Sequence, residues 1–298
     1  MKYQLLGKSG LNISRIGFGC MSLQPRQPDL EFLIDKAVDS GINFFDTADL
    51  YHKGLNETDI GRALAQKRKN VILATKAGNQ WRADNSGWDW NPGKKYIIAC
   101  ADQSLLRLQT DHIDLYQLHG GTMEDPIDET IEAFELLQQQ GKIRYYGISS
   151  IRPNVIREYL RRSNIVSVMM QYSLADRRPE EACLTLLQEH QVGILTRGSI
   201  ASGLLAGKAP KSYLSYAAGE IDGAAKAIQA STLPGSSPAA TAISFVLQHP
   251  AVTSAVVGIR TEKHLTESLQ AITTGPLSQQ EYAALKESIP LNFYEQHR

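Results

Sequence analysis

Short apolar runs alternate with longer amphipathic segments along nearly the whole chain. The runs are IGFG from Ile16, INFFD from Ile42, VILAT from Val71 and IDLYQL from Ile113, followed by IRYYGIS from Ile143, VSVMMQ from Val166, VGILTR from Val192 and TSAVVG from Thr253. Their β-branched and aromatic content reads as strand. They lack a clean in-and-out alternation, which is the pattern of strands covered on both faces of a parallel sheet. Between them lie DLEFLIDKAVDSG, KKYIIACADQSLLRL, DETIEAFELLQQQGK, NVIREYLRRS, EEACLTLLQEH and PAATAISFVLQHP, where apolar residues recur at three- and four-residue intervals and several segments end in Gly or a basic residue. These are helices. Strand and helix in strict alternation define an α/β fold, and eight such units in a chain of 298 residues close most economically as a (β/α)8 TIM barrel. The reading is one domain over residues 1–298.

Two segments stand outside the count. Residues 4–14 hold KSG between two short extended pieces and predict a β-hairpin cap ahead of the first barrel strand. Residues 208–237, rich in Gly, Ala, Ser and Pro, interrupt the seventh unit and read as a lid-like insertion or an irregular helix. A doubly wound sheet competes with the barrel, but GFGCMS offers Gly17 and Gly19 with no third glycine where a dinucleotide-binding helix should begin.

Composition narrows the class. Hydrophobic content of 42%, charged content of 21% and a formal net charge of +0 describe a globular protein with no global field favouring nucleic acid. The start MKYQLLGKSG has no signal-like apolar stretch, and no run approaches the ~18 apolar residues of a membrane span, so a cytoplasmic location is expected. Three scattered cysteines give neither a disulfide framework nor a metal-ligand spacing, and the seven histidines contain no HxH or HxxxH pair, so no metal site is expected.

Active sites of such barrels lie at the C-terminal ends of the strands. Asp46 ends the second strand, Lys76 the third and His119 the fourth, with Tyr51 on the loop after the second. Four such side chains would converge at one mouth. A free tyrosine, with a pKa near ~10, is a poor acid at neutral pH; a nearby ammonium lowers that value, and Asp46 would hold Lys76 in place. His119 suits a neutral hydrogen-bond donor to the substrate oxygen. The set is a device for protonating a carbonyl oxygen as a hydride arrives. Trp81, Trp88 and Trp90 are all the tryptophan of the chain and lie together after the third strand. They read as a substrate wall suited to bulky apolar carbonyl compounds, or as pins holding the loop to the rim.

The segment GINFFDTADLYHKGLNETDIGRAL resembles the first signature of the aldo-keto reductase family, with Asp46, Tyr51, Asn56, Glu57 and Gly61 in register. LRLQTDHIDLYQLH resembles the second, leading to His119, and Lys76 after VILAT matches the family lysine. The likeness runs from about Tyr3 to the last helix. It implies a small-molecule carbonyl substrate and NADP(H), with NAD(H) as the other option, bound without a Rossmann domain. It also implies proton donation by Tyr51, tuned by Lys76 and Asp46, with His119 orienting the carbonyl. Its implied cofactor contacts are Gly19, Cys20 and Met21 after the first strand, Asp46 at the end of the second, Ser149 and Ser150 after the fifth, and Gln171 after the sixth. They continue with Arg197, Gly198, Ser199 and Gly203 after the seventh strand and Gly258, Arg260, His264, Glu267 and Ser268 after the eighth, where Arg260 and His264 would meet a 2′-phosphate. The chain departs from the family pattern at Ser150, often Asn, at Arg197, often an aromatic, and at Gly258-Ile259, often Lys-Ser. Some relatives are nicotinamide-binding regulatory subunits, which is the alternative to an enzyme.

Overall fold

The structure, a computed structural model, describes residues 1–298. An antiparallel hairpin of β1 (Tyr3–Leu5) and β2 (Asn12–Ser14) precedes the barrel. The barrel strands are β3 (Ile16–Gly19), β4 (Phe44–Asp46), β5 (Ile72–Ala77), β8 (Ile113–Leu118), β9 (Ile143–Ser149), β10 (Ser167–Gln171), β11 (Gly193–Arg197) and β12 (Val252–Gly258). All pairings are parallel and the eight strands close on themselves, so every apolar run read as a strand takes its place in one barrel. A second hairpin, β6 (Asn79–Trp81) and β7 (Trp88–Trp90), lies between β5 and β8. The helices are α1 (Leu30–Asp39), α2 (Leu55–Leu64), α3 (Lys94–Leu108), α4 (Ile127–Gln139) and α5 (Pro153–Arg162), then α6 (Cys183–Glu189), α7 (Ala218–Ala230), α8 (Pro238–Gln248), α9 (Glu262–Thr273) and α10 (Gln279–Glu287).

Strand side chains alternate, so each strand serves two cores. Outward residues join the helices in one large apolar cluster. Inward residues, among them Phe44, Ile72, Leu115, Met169, Leu195 and Val256, fill the barrel together with Leu6, Leu11 and Ile13 of the first hairpin. The hairpin therefore plugs the N-terminal end. Its turn depends on Gly7, at φ +55°, where a Cβ would fall 2.5–2.6 Å from backbone atoms of Gly193, Gln191 and Val166.

Residues 208–237 are more regular than expected. Ile221, Ala224 and Ile228 are buried at helical spacing on α7; the approach to that helix, where Tyr213 and Tyr216 form a short bridge, and residues 231–237 after it are irregular. Alanine and glycine mask the period because they bury too little surface to mark a face. No helix is long and apolar enough to cross a membrane.

Candidate active site

Parallel register carries the four chemistry-bearing residues to the same end of the barrel. Gly19 pairs with Asp46 across β3 and β4, Asp46 with Ala74 across β4 and β5, and Lys76 with Gln117 across β5 and β8. Lys76, 1% exposed, places Nζ 2.6 Å from Asp46 Oδ2 and donates to Thr47 O at 2.9 Å. Gln117 donates from Nε2 to the other Asp46 oxygen at 3.3 Å. The ammonium lies 5.3 Å from the centre of the Tyr51 ring, and the His119 ring meets Tyr51 edge-on at 5.9 Å.

The segment carrying Tyr51 is held by the rest of the same sequence motif. His52 and Lys53 take left-handed conformations and Gly54 has φ +84°, which turns the chain sharply into α2. Asn56, buried, donates to Cys20 O at 2.9 Å and accepts from Thr47 Oγ1 at 2.6 Å, tying α2 to β3 and β4. Glu57 is wholly buried; it accepts from Thr75 Oγ1 at 2.6 Å and Arg107 Nε at 2.7 Å. Gly61 lets α2 lie against α3, for a Cβ there would be 2.6 Å from the Leu108 backbone.

Electrostatics sets the protonation states. Burial and the positive charges of Lys76 and Arg197 push the His119 imidazole down to about 3, so it is neutral. Its Nδ1 is buried without a partner. An N–H stranded there would be costly, so the ring proton belongs on Nε2. Burial opposes the charge on Lys76, but Asp46 and Tyr51 outweigh it and hold the ammonium above its usual range. The Tyr51 phenol departs from the sequence expectation. Lys76 does pull its pKa down, but burial is the larger effect and raises it. Tyr51 is thus a protonated phenol whose cation is in place to receive a phenolate.

Two cavities meet at this mouth. One of about 570 Å³ is lined by Tyr51, Lys76 and His119, with Trp88, Trp90, Ser149, Ser150 and Arg152 around them. The other, about 320 Å³, is lined by Gly19, Met21, Asp46, Gln171, Gly198, Ser199 and Gly258 among others. Tyr51, Met21, Met169 and Arg197 line both, so the two form one cleft across the barrel mouth. The tryptophans divide. Trp88 and Trp90 face the larger cavity, and Trp90 also donates to Asp125 at 2.8 Å and packs on Gly78 and Gly120. Trp81 does not line it; its Nε1 donates to Leu50 O at 3.3 Å, bracing the turn that carries Tyr51.

The remaining residues singled out from the sequence are spread over three places. Gln171 has its amide committed, donating to Asp176 at 2.8 Å and Tyr213 Oη at 3.0 Å and accepting from Arg197 at 2.9 Å. The Cys20 side chain turns into the core, leaving only its backbone near the mouth. Gly203, at φ +94°, carries the chain over Lys208. Arg260 is exposed before α9, His264 has a buried, unpartnered Nδ1, Glu267 lies beyond it, and Ser268 Oγ bonds back to His264 O at 2.7 Å. These four line neither cavity. No cluster of His, Cys, Asp or Glu is arranged to hold a metal ion.

Gln117, Met169, Arg152 and Tyr213 belong to the site and were not read from the sequence. Gln117 had a usable signal, since Leu115, Gln117 and His119 fall on one face of a period-two strand. Tyr213 had none, because its place beside Gln171 depends on how the segment after β11 folds back.

The model of the Aldo/keto reductase family matches residues 15–290. The chain is 48% identical over 307 residues to the uncharacterized oxidoreductase YqkF of Bacillus subtilis, covering 100% of both. Among solved structures it resembles the aldo-keto reductase AKR11C1 from Bacillus halodurans. The holo form is matched with TM-score 0.93 at 47% identity, covering 100% of this chain and 99% of that one. The apo form is matched with TM-score 0.85 at 46% identity and the same coverage.

Proposed function

The chain belongs to the aldo/keto reductase family, and from that premise we propose that it is an NADP(H)-dependent oxidoreductase that reduces an aldehyde or ketone to an alcohol with Tyr51 as proton donor. The observation that carries the reading is the placement of Tyr51, Lys76 and His119 on one cavity, with Asp46 on the adjoining one and its Oδ2 2.6 Å from Lys76 Nζ. A subunit that bound nicotinamide without turnover would have no need of that alignment.

The smaller cavity fits a nicotinamide cofactor. Ser22 Oγ and Ser199 Oγ line it buried and without partners, leaving hydrogen-bonding capacity for a ligand. Gly19, Gly198 and Gly258 present bare backbone to it. Gly19, Cys20 and Met21 would approach through the backbone. Ser149, Ser150 and Gln171 would flank the ring, with Arg197 laying a planar guanidinium beside it. Gly198, Ser199 and Gly203 would cover the diphosphate. Arg260 and His264, at the start of α9, would favour a 2′-phosphate, with Glu267 and Ser268 beside the adenine.

When bound, the reduced nicotinamide would supply the hydride. Tyr51 gives its phenolic proton to the carbonyl oxygen as alkoxide charge develops there. Lys76 stabilises the phenolate that remains, and Asp46 and Gln117 fix Lys76. The neutral His119 imidazole donates Nε2–H toward the same oxygen. Trp88 and Trp90 wall the substrate, and Trp81 supports the turn behind Tyr51.

A panel of aldehydes and ketones with NADPH and NADH, followed at the nicotinamide absorbance, tests the reading. Tyr51→Phe should retain NADPH binding and lose reductase activity by about 10²- to 10⁴-fold, the usual worth of general acid catalysis. A near-normal kcat in that variant would remove Tyr51 from the mechanism.

A further inference from the structure

The larger cavity has an unbalanced wall. Lys76, Arg152 and Arg197 line it, and no aspartate or glutamate does. Lys76 is neutralised from behind by Asp46. Arg197 is bound to Gln171 at 2.9 Å and also lines the smaller cavity, so it belongs to the cofactor side. Arg152 is left. It forms no direct ion pair, although the exposed Glu124 lies near enough to feel its charge and Glu295 lines the neighbouring cavity; Nη1 donates to Gly121 O at 2.9 Å, which fixes the side chain while leaving Nε and Nη2 unbonded. It caps α5, so the positive end of that helix adds to the field. Arg152 and Ile151 also line a neighbouring cavity of about 450 Å³ beneath the C-terminal residues, so Arg152 stands at the seam between two spaces. In that neighbour Arg178 is already paired with Asp176 at 2.8 Å.

We infer that Arg152 is a specificity-determining residue that docks an anionic group, a carboxylate or a phosphate, at the end of the substrate remote from the carbonyl. The inference deepens the reductase reading and rests on it. A planar guanidinium with free donors matches a carboxylate or phosphate in two-point contact. A cavity with cations and no acid on its wall concentrates anions at its mouth. Apolar contact with Trp88 and Trp90 then holds the chain between the two ends.

The test compares kcat/KM for aldehydes that differ only in terminal charge. Succinic and adipic semialdehydes are set against their methyl esters, and glyceraldehyde 3-phosphate against glyceraldehyde. The anionic member of at least one pair should be favoured about 10- to 100-fold in the wild type, the range of a charge-assisted hydrogen bond. Which pair shows the preference identifies carboxylate or phosphate. Arg152→Gln, which can still donate to Gly121 O, should bring the ratio close to one, Arg152→Lys should restore part of it, and added salt should shrink it. Ratios near one in the wild type, or unchanged in Arg152→Gln, overturn the inference. Binding can also be read without turnover, because Trp88 and Trp90 report on the cavity by fluorescence. If no aldehyde is reduced yet 4-carboxybenzaldehyde binds at least 10-fold more tightly than its methyl ester only when Arg152 is present, the reductase reading fails and the anion site stands. Equal binding of acid and ester rejects the site.

Discussion

At the scale of single residues, burial decides the protonation of His119 and Tyr51, whereas charge pairing decides that of Lys76. Burial and two neighbouring cations hold His119 near 3, and burial holds Tyr51 above its ordinary value in spite of Lys76. Reductive kcat/KM should therefore show no inflection between about pH 5 and 9, since neither group titrates there. An inflection near pH ~6.5 that vanishes in His119→Phe would mean the imidazole titrates in its ordinary range. Asp49, two residues before Tyr51, gives a stability prediction. Burial, then repulsion from Glu57, pushes its carboxyl up to about 7, and Oδ1 has no partner. Between about pH 4 and that value the folded protein holds a proton that the unfolded chain has released. Stability attributable to Asp49 thus falls as pH rises through this window and stays low above it. Asp49→Asn should raise the urea midpoint at pH 8 and change it much less at pH 5, with a gain on the order of 1–4 kcal/mol. Equal effects at the two pH values would count against a buried, protonated Asp49.

At the scale of elements, a motif that looks catalytic is mostly architecture. Of the matched positions after β4, Tyr51 alone reaches the cavity, whereas Asn56, Glu57 and Gly61 lock α2 to β3, β5 and α3. Gly61→Ala would force a methyl group to within 2.6 Å of the Leu108 backbone. That overpacking should cost about 1–3 kcal/mol in denaturant unfolding. If the variant is as stable as wild type, α2 can shift on α3, and Tyr51 should then show a lower kcat. The hairpin of β6 and β7 was not foreseen, because its glycines and polar residues read as loop. Pairing of Trp81 with Trp88 across the strands supplies the order that its short segments lack.

At the scale of the whole molecule, the hairpin plug and the open cleft occupy opposite ends of one barrel. The plug seals the N-terminal end with side chains, and the C-terminal end keeps two joined cavities of about 570 and 320 Å³. A ligand bound there stabilises only the folded state, so NADPH at 100 times its Kd should add about 2.7 kcal/mol and raise the melting temperature by several degrees. NADH at the same concentration should give a smaller rise. Arg260→Ala should reduce the NADPH shift more than the NADH shift, since the proposed phosphate contact would be worth about 1.5–3 kcal/mol. Equal losses for both would place Arg260 away from the phosphate.

The eight apolar runs, the first hairpin and the positions of Asp46, Lys76 and His119 at strand ends were all legible in the amino-acid sequence. Backbone periodicity and the covering of both sheet faces act locally, and a parallel barrel brings the ends of its strands together whatever the intervening helices do. The family resemblance rested on the same segments, and the match over residues 15–290 agrees with it. The regularity of α7, the division of labour among Trp81, Trp88 and Trp90, the engagement of Gln171 by Tyr213 and Asp176, and the place of Arg152 on the cavity wall depended on tertiary structure. Each is settled by which loops fold over the mouth and which partners they meet there, and neither period nor composition records that. The protonation of Tyr51 belongs with them. The sequence shows which charge lies near it, but the depth of burial that outweighs that charge exists only once the chain has closed around the site.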